Sequence, residues 1–237
     1  MRFISCCSGI EAATVAWLPL GFEPVAYAEI DEFASAVLAH RLPETPNLGD
    51  FTAVDWSEYC GAADIAIAGP PCQEFSVAGL REGVAGDRGR LYLEFLRAAK
   101  SMGARWVVIE NVPGLLSVHG GKDFQTILET VGELWPAGGA CWRLLDSAFF
   151  GVPQRRRRVY LVIESTDWRR AAAVLGDSQV RRGADASDAQ AWEEAARRAG
   201  VPVGGYCLAS PQANAELIQG GAVHDADAAT RGTDLGA

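Results

Sequence analysis

The sequence is short of the features that would make it a general nucleic-acid coat, a metal protein or a membrane protein. It has no excess of basic charge: 30 acidic against 21 basic side chains leave a formal net charge of -9. That excludes a uniformly basic surface. It leaves room for a local patch, because exposed charges act over only about 10 Å at ordinary salt. Lysine is nearly missing, with Lys100 and Lys122 the only two. The basic side chains are therefore mostly arginines, the better fork for phosphates and carboxylates. The six cysteines form no C-x-x-C pair, which argues against a zinc site, so no metal is expected. No apolar run of membrane length, no signal-peptide pattern and no internal repeat occur. The expectation is a reducing, cytoplasmic setting with free thiols and no membrane partner.

What is present reads as an α/β protein. Its 237 residues, 49% hydrophobic and 22% charged, suit one such domain with a small appendage. Strand-like and helix-like stretches alternate through the first 163 residues. "RFISC" (from Arg2), "EPVAYAEI" (from Glu23), "ADIAIA" (from Ala63), "RWVVIENV" (from Arg105) and "RRVYLVIES" (from Arg157) read as strands. Between them lie a short helix broken at Pro19, an amphipathic helix from Asp31, a helix in "RLYLEFLRAAKSMG" and another in "FQTILETVGELW". This order predicts a doubly wound, mostly parallel sheet covered on both faces. Ligands on such sheets sit beyond the carboxyl ends of the strands, and Cys6 to Gly9, Glu29, Cys72 and Glu110 all fall at expected strand ends. A boundary is expected near residue 165. Beyond it, "DWRRAAAVLG" and the Ser187 to Gly200 stretch read as helices, and the rest is poor in large apolar residues.

Several stretches carry candidate chemistry. In "CCSGIEAAT" a strand turns through Ser8 and Gly9 into a helix, exposing helix-start amides to a polar ligand edge; a plain connecting turn explains it equally. Glu29, at the end of the second strand, reads either as a ligand for ribose hydroxyls or as a loop acid capping the next helix. Asp50 and Phe51 read as an adenine contact, or as a turn former followed by a core ring. "GPPCQ" holds Cys72 behind two prolines, which restrict the backbone and can aim a thiol; a thiolate there is a nucleophile, whereas most cysteines are buried and inert. Glu110, at the mouth of a buried strand, is a candidate proton donor beside that thiol. In "QRRRR" strand alternation puts Arg156 and Arg158 on one face and Arg155 and Arg157 on the other, so one pair can enter the cleft.

In this order the "GPPCQ", "ENV" and "QRRRR-VY" stretches resemble the C5-cytosine-specific DNA methyltransferases. The likeness covers Arg2 to Ile163, and the "SGIEAATVAW" turn is similar to members carried by phages and prophages. It implies a Rossmann-like fold of the S-adenosylmethionine-dependent type and double-stranded DNA as partner. It also implies a target cytosine flipped from the duplex. Cys72 would attack C6, Glu110 would serve N3, and Arg156 and Arg158 would hold the base carbonyl and keep Cys72 ionised. S-adenosylmethionine contacts carry over onto Cys7, Ser8, Gly9, Ile10, Glu29, Ile30, Asp50, Phe51, Pro71 and Leu91. Gln73, Ser76 and Arg88 fall on a glycine-rich loop that closes over DNA, and Asn111, grouped with them, supports the Glu110 loop. The sequence departs from the family where Ser5 replaces an Asp, Cys7 an aromatic residue, and Glu11 and Ala12 the later glycines of the first turn. Residues 166 to 237 are expected to be a helical and irregular extension, an incomplete start of the target-recognition region. That expectation leaves an autonomous enzyme, a chain completed by a second polypeptide, and a non-catalytic remnant all open. An RNA-directed enzyme of the same fold and, more distantly, a thiol oxidoreductase are the other readings.

Overall fold

The computed structural model describes residues 1–71, 87–176 and 207–209. Five strands arise where the sequence is densest in β-branched and small apolar residues: β1 (Arg2–Cys6), β2 (Glu23–Ala28), β3 (Ile65–Ala68), β4 (Trp106–Asn111) and β6 (Arg157–Glu164). Two further strands, β5 (Gly139–Asp146) and β7 (Cys207–Ala209), lie outside the sequence-based assignment. The seven strands form one sheet in the order β2-β1-β3-β4-β6-β5-β7. β1 to β4 pair in parallel. β6 is antiparallel to β4, β5 is antiparallel to β6, and β7 is antiparallel to β5. It follows that β1 to β5 run one way and β6 and β7 the other, so the sheet is mostly parallel as expected.

Helices cover both faces because side chains alternate along each strand. Ile4, Ala66, Val107, Ile109 and Leu161 point to one face, where α3 (Asp87–Ser101) and α4 (Lys122–Leu134) bring Tyr92, Phe95, Phe124 and Leu128. Phe3, Tyr27 and Ile65 point to the other. There they meet Trp17 of α1 (Ala12–Trp17) and Leu38 of α2 (Glu32–Arg41). On that same face Cys141 and Val162 meet Ala171 and Leu175 of α5 (Trp168–Gly176).

The expected break near residue 165 falls between β6 and α5, yet α5 packs on β5 and β6 and β7 adds to the sheet edge. The helix expected over Ser187 to Gly200 lies outside the described residues. Cys6, Cys7 and Cys60 are free thiols. Cys141 is disulfide-bonded, which corrects the expectation of free thiols throughout; across the β5–β7 ladder its register partner is Cys207. Among the described residues no helix is long and apolar enough to cross a membrane.

Candidate active site at the carboxyl ends of the strands

β3 ends at Ala68, and the chain leaves it through Gly69, Pro70 and Pro71. Cys72, Gln73 and Ser76 lie outside the described residues, and Arg88 belongs to the first turn of α3. The approach to Cys72 is held from the neighbouring strand. Asn111, the last residue of β4, donates its side-chain amide to the carbonyl of Pro70 at 2.9 Å, and its own Oδ1 accepts the Val112 amide at 2.8 Å. Asn111 is only 2% exposed, so its place is beneath the site, supporting the loop, and its side chain does not face outward toward a duplex.

The residue before it, Glu110, points to the opposite face and into the cleft. Arg158 Nε lies 3.0 Å from Glu110 Oε1, and Arg156 Nη2 lies 3.6 Å from the same oxygen. Alternation along β6 brings these two guanidinium groups to one side, and it carries on to Tyr160, which stands opposite Glu110 in the β4–β6 register. Burial, then the Glu110 charge, raises the Tyr160 phenol above its ordinary range, with Arg156 and Arg158 opposing in part. The hydroxyl is therefore a donor at neutral pH. Arg156 is fixed from behind, its amide donating to the buried Asp146 carboxylate at 3.1 Å, and Arg158 also donates to the Arg157 carbonyl at 2.8 Å. A carboxyl flanked by two guanidinium groups can pair with the polar edge of a heterocycle, serving a ring nitrogen and a carbonyl together.

The second half of the cleft forms where β1 and β2 end. Cys7, Gly9 and Glu11 all take positive φ, at 50°, 57° and 66°. Such a turn is inexpensive only for the glycine, and Cys7 and Glu11 hold it by their bonds. The Cys7 amide donates to the Ala28 carbonyl at 2.8 Å, and the Glu11 amide to the Ser8 carbonyl at 3.0 Å. The Ser8 hydroxyl donates to the Ser5 carbonyl at 2.8 Å. Glu29 closes the turn from β2. Its carboxylate accepts the amides of Gly9 at 2.7 Å, Ile30 at 2.9 Å and Asp31 at 2.8 Å. Asp31, rather than Glu29, caps α2 by accepting the Ala34 amide.

Burial, then the charges of Glu29 and Asp50, pushes the Cys7 thiol up to about 12, so both acids stand near the thiol. Asp50 holds the local turn through the Thr52 amide and hydroxyl. Phe51 is a core residue whose ring packs edge-on against Phe95, with centroids 6.5 Å apart. Ile10 and Ile30 are both well exposed, Leu91 is half-buried against the core, and Pro71 is exposed. Two acids and two exposed aliphatic side chains around a glycine turn fit a nucleoside with apolar ring faces and ribose hydroxyls. Gly69 lies between the two halves: a methyl group there would stand 3.8 Å from Glu110 Oε2 and 3.9 Å from the Cys7 carbonyl.

The structure thus brings Cys7, Gly9, Glu29 and Asp50 into one cluster and Glu110, Arg156 and Arg158 into another. Sequence reasoning missed three contributors. Tyr160 was reachable by extending the alternation already applied to Arg156 and Arg158. Asp146 stands just before a turn, a position aspartate favours. Asn47 holds Glu29 by accepting its amide at 2.9 Å and donating to its carbonyl at 3.1 Å, and no local pattern marks it. Among the described residues, no group of three or more His, Cys, Asp or Glu side chains is placed to hold a metal ion.

Comparison with known proteins gives this geometry its setting. A DNA N-6-adenine-methyltransferase of Escherichia phage P1 is 36% identical over 229 residues, covering 75% of this chain and 30% of that protein. The type II methyltransferase M.AquIA of a Picosynechococcus strain is 33% identical over 68% of this chain and 71% of its own length. The crystal structure of the S. pombe Dnmt2 methyltransferase superposes with a TM-score of 0.55 at 18% identity, covering 69% of this chain and 50% of the other, a likeness of fold. The chain spans 30%, 35% and 40% of the length of three phage relatives. A family model, C-5 cytosine-specific DNA methylase, matches residues 1–183. The chain belongs to the C-5 cytosine-specific DNA methylase family.

Proposed function

We propose that the chain transfers a methyl group from S-adenosylmethionine to C5 of a cytosine flipped out of double-stranded DNA. The observation that carries this reading is the convergence of Arg158 and Arg156 on Glu110, beside a Pro70–Asn111 bond that fixes the chain two residues before Cys72. In this reading the Cys72 thiolate adds to C6 while Glu110 donates a proton to N3, so negative charge does not accumulate on the ring. Arg156 and Arg158 hold the base carbonyl, and Tyr160 adds a donor on the same wall. C5 of the resulting enamine would then take the methyl group, with the donor's S–CH3 bond breaking and its sulfur leaving as the neutral thioether of S-adenosylhomocysteine. A base removes the C5 proton, its electron pair expels Cys72, and N3 returns its proton to Glu110, which restores the aromatic ring. S-adenosylmethionine supplies the electrophilic methyl, and Glu29, Asp50, Ile10 and Ile30 are the residues assigned to hold it.

The phage P1 relative is named for methyl transfer to adenine N6. An exocyclic amine attacks a methyl donor directly and needs neither a thiol adduct nor a carboxyl on a ring nitrogen. The Glu110, Arg156 and Arg158 set suits ring activation, and so favours C5 of cytosine. In this reading a second polypeptide supplies the choice of DNA sequence, and the setting is the cytoplasm of a bacterium or a phage-infected cell. The test is transfer of labelled methyl from S-adenosylmethionine to mixed-sequence duplex DNA, with Cys72→Ala beside the wild type. Transfer by the wild type alone is expected. No transfer from folded protein would remove autonomous activity and leave a chain that requires a second polypeptide, or a remnant.

A further inference from the structure

Every residue from Ala148 through Arg157 is exposed. This stretch, the loop that joins β5 to β6 together with the first residue of β6, holds three arginines and no acid, in a chain whose net charge is -9. Phe149 and Phe150 are each 49% exposed and Val152 46%. A single exposed apolar side chain is ordinary, but three within four residues, beside arginines, form a patch.

The loop is not slack. The buried Asp146 carboxylate accepts the amides of Ala148 and Arg156, both at 3.1 Å, so one side chain clamps its two ends. The Ser147 amide donates to the Arg156 carbonyl at 3.1 Å, its hydroxyl to the Gln154 carbonyl at 2.6 Å, and the Gln154 amide to the Val152 carbonyl at 2.8 Å. Exposed rings on a backbone held in this way lose little freedom on binding. Because β5 runs parallel to β4, the loop lies at the same end of the sheet as Glu110. Arg156, within the loop, reaches that carboxyl at 3.6 Å. The patch is therefore continuous with the candidate active site.

We infer that Phe149, Phe150 and Arg155 form a DNA contact beside the active site, with Arg155 on a phosphate and the two rings against the base and deoxyribose faces next to the flipped nucleotide. The inference rests on the DNA substrate proposed above. A strongly acidic chain gains phosphate affinity only where basic side chains outnumber the acids beside them; here Arg156 is drawn to Glu110, and Arg155 is the arginine offered to a phosphate. Exposed aromatic rings give sequence-tolerant contact with unstacked bases, which suits a position that must accept whatever flanks the target.

The test is fluorescence anisotropy of a labelled duplex against salt concentration, in the Cys72→Ala background, for Arg155→Gln, Arg155→Lys and the Phe149→Ala/Phe150→Ala pair. Arg155→Gln is expected to reduce the slope of log affinity against log salt by about one, while Arg155→Lys keeps it. The phenylalanine pair is expected to lose about tenfold or more in affinity with the slope unchanged. Binding of S-adenosylhomocysteine at wild-type strength reports an intact fold for each variant. A wild-type slope for Arg155→Gln, or wild-type affinity for a folded phenylalanine pair, overturns the contact. If that happens while the unmodified protein still methylates duplex DNA, the inference fails alone. If the unmodified protein neither binds nor methylates duplex DNA, the inference fails together with the proposed function.

Discussion

The side-chain amide of Asn111 donates to the Pro70 carbonyl across 2.9 Å, so the end of β4 sets where the Pro-Pro-Cys stretch begins. A buried donor that loses its acceptor, or an acceptor that loses its donor, costs about 1–3 kcal/mol. Asn111→Asp is isosteric and cannot donate to that carbonyl. It is expected to lower the urea midpoint by a free energy in that range and to slow methyl transfer more than tenfold. Duplex affinity and its salt slope should stay near wild type, since the side chain lies inside. Wild-type transfer by the variant would remove the positioning role.

Glu110 and Arg158 are expected to separate stability from activity. The side chains of this pair are 29% and 21% exposed, and an ion pair still partly screened by water contributes about 1 kcal/mol or less. Glu110→Gln should therefore change the unfolding free energy by less than about 1 kcal/mol. The same variant cannot give a proton to a ring nitrogen, and its transfer rate should fall roughly 100-fold or more. Arg158→Lys should also slow transfer, because one ammonium group cannot span Glu110 and the Arg157 carbonyl as the fork does. A Glu110→Gln enzyme with near-normal rate would show that the carboxyl is not the acid.

Burial and periodicity decide which elements of this chain are legible in its sequence. β3, β4 and β6 carry continuous apolar runs, with one face buried and the other half-buried or buried over most of their length, so they stand out. Alternation then placed Arg156 and Arg158 together, and the structure sets both against Glu110. β5 did not stand out. "GACWRLLD" follows Pro136, Ala137 and Gly138 and contains Arg143, and only its pairing with β6 along its whole length makes it a strand. Without β5 the β5–β6 hairpin was invisible, and with it the reversal of β6. Asn47 and Glu29 meet across 18 residues through the edge beside β2, a contact that no periodicity encodes. Asp31, two residues from Glu29, takes the helix-capping role that the local pattern also allows to Glu29.

The thiols should differ sharply in reactivity. Cys7 is pushed up to about 12 by burial and by Glu29 and Asp50, and burial raises Cys6 as well, whereas Cys60 is exposed. At pH 8 roughly one Cys7 thiol in ten thousand is ionised, and the thiolate is the reactive form. Iodoacetamide applied to the Cys72→Ala chain at that pH should label Cys60 well before Cys7 or Cys6, as peptide mass mapping would report. Early labelling of Cys7 would mean that its pocket is open and the two acids are not beside it.

Glu11 is expected to make stability depend on pH in the direction of a buried acid. Burial raises its carboxyl above the ordinary range, and the Ser5 hydroxyl and the Thr14 amide offset only part of this. In the unfolded chain the same group ionises at its usual pH of about 4.3. The folded state therefore prefers the protonated form. Its advantage is complete below the unfolded pKa and is lost as pH rises through the higher folded one. Glu11→Gln removes this titration and keeps an oxygen to accept the Thr14 amide, which the carboxylate now accepts at 3.0 Å. The left-handed backbone at φ 66° is common to both proteins and cancels. The variant should therefore be more stable than the wild type at pH 7.5, with the gain fading as urea titrations are moved toward pH 4. An equal difference at both pH values would show that the Glu11 carboxyl titrates alike in the folded and unfolded chains.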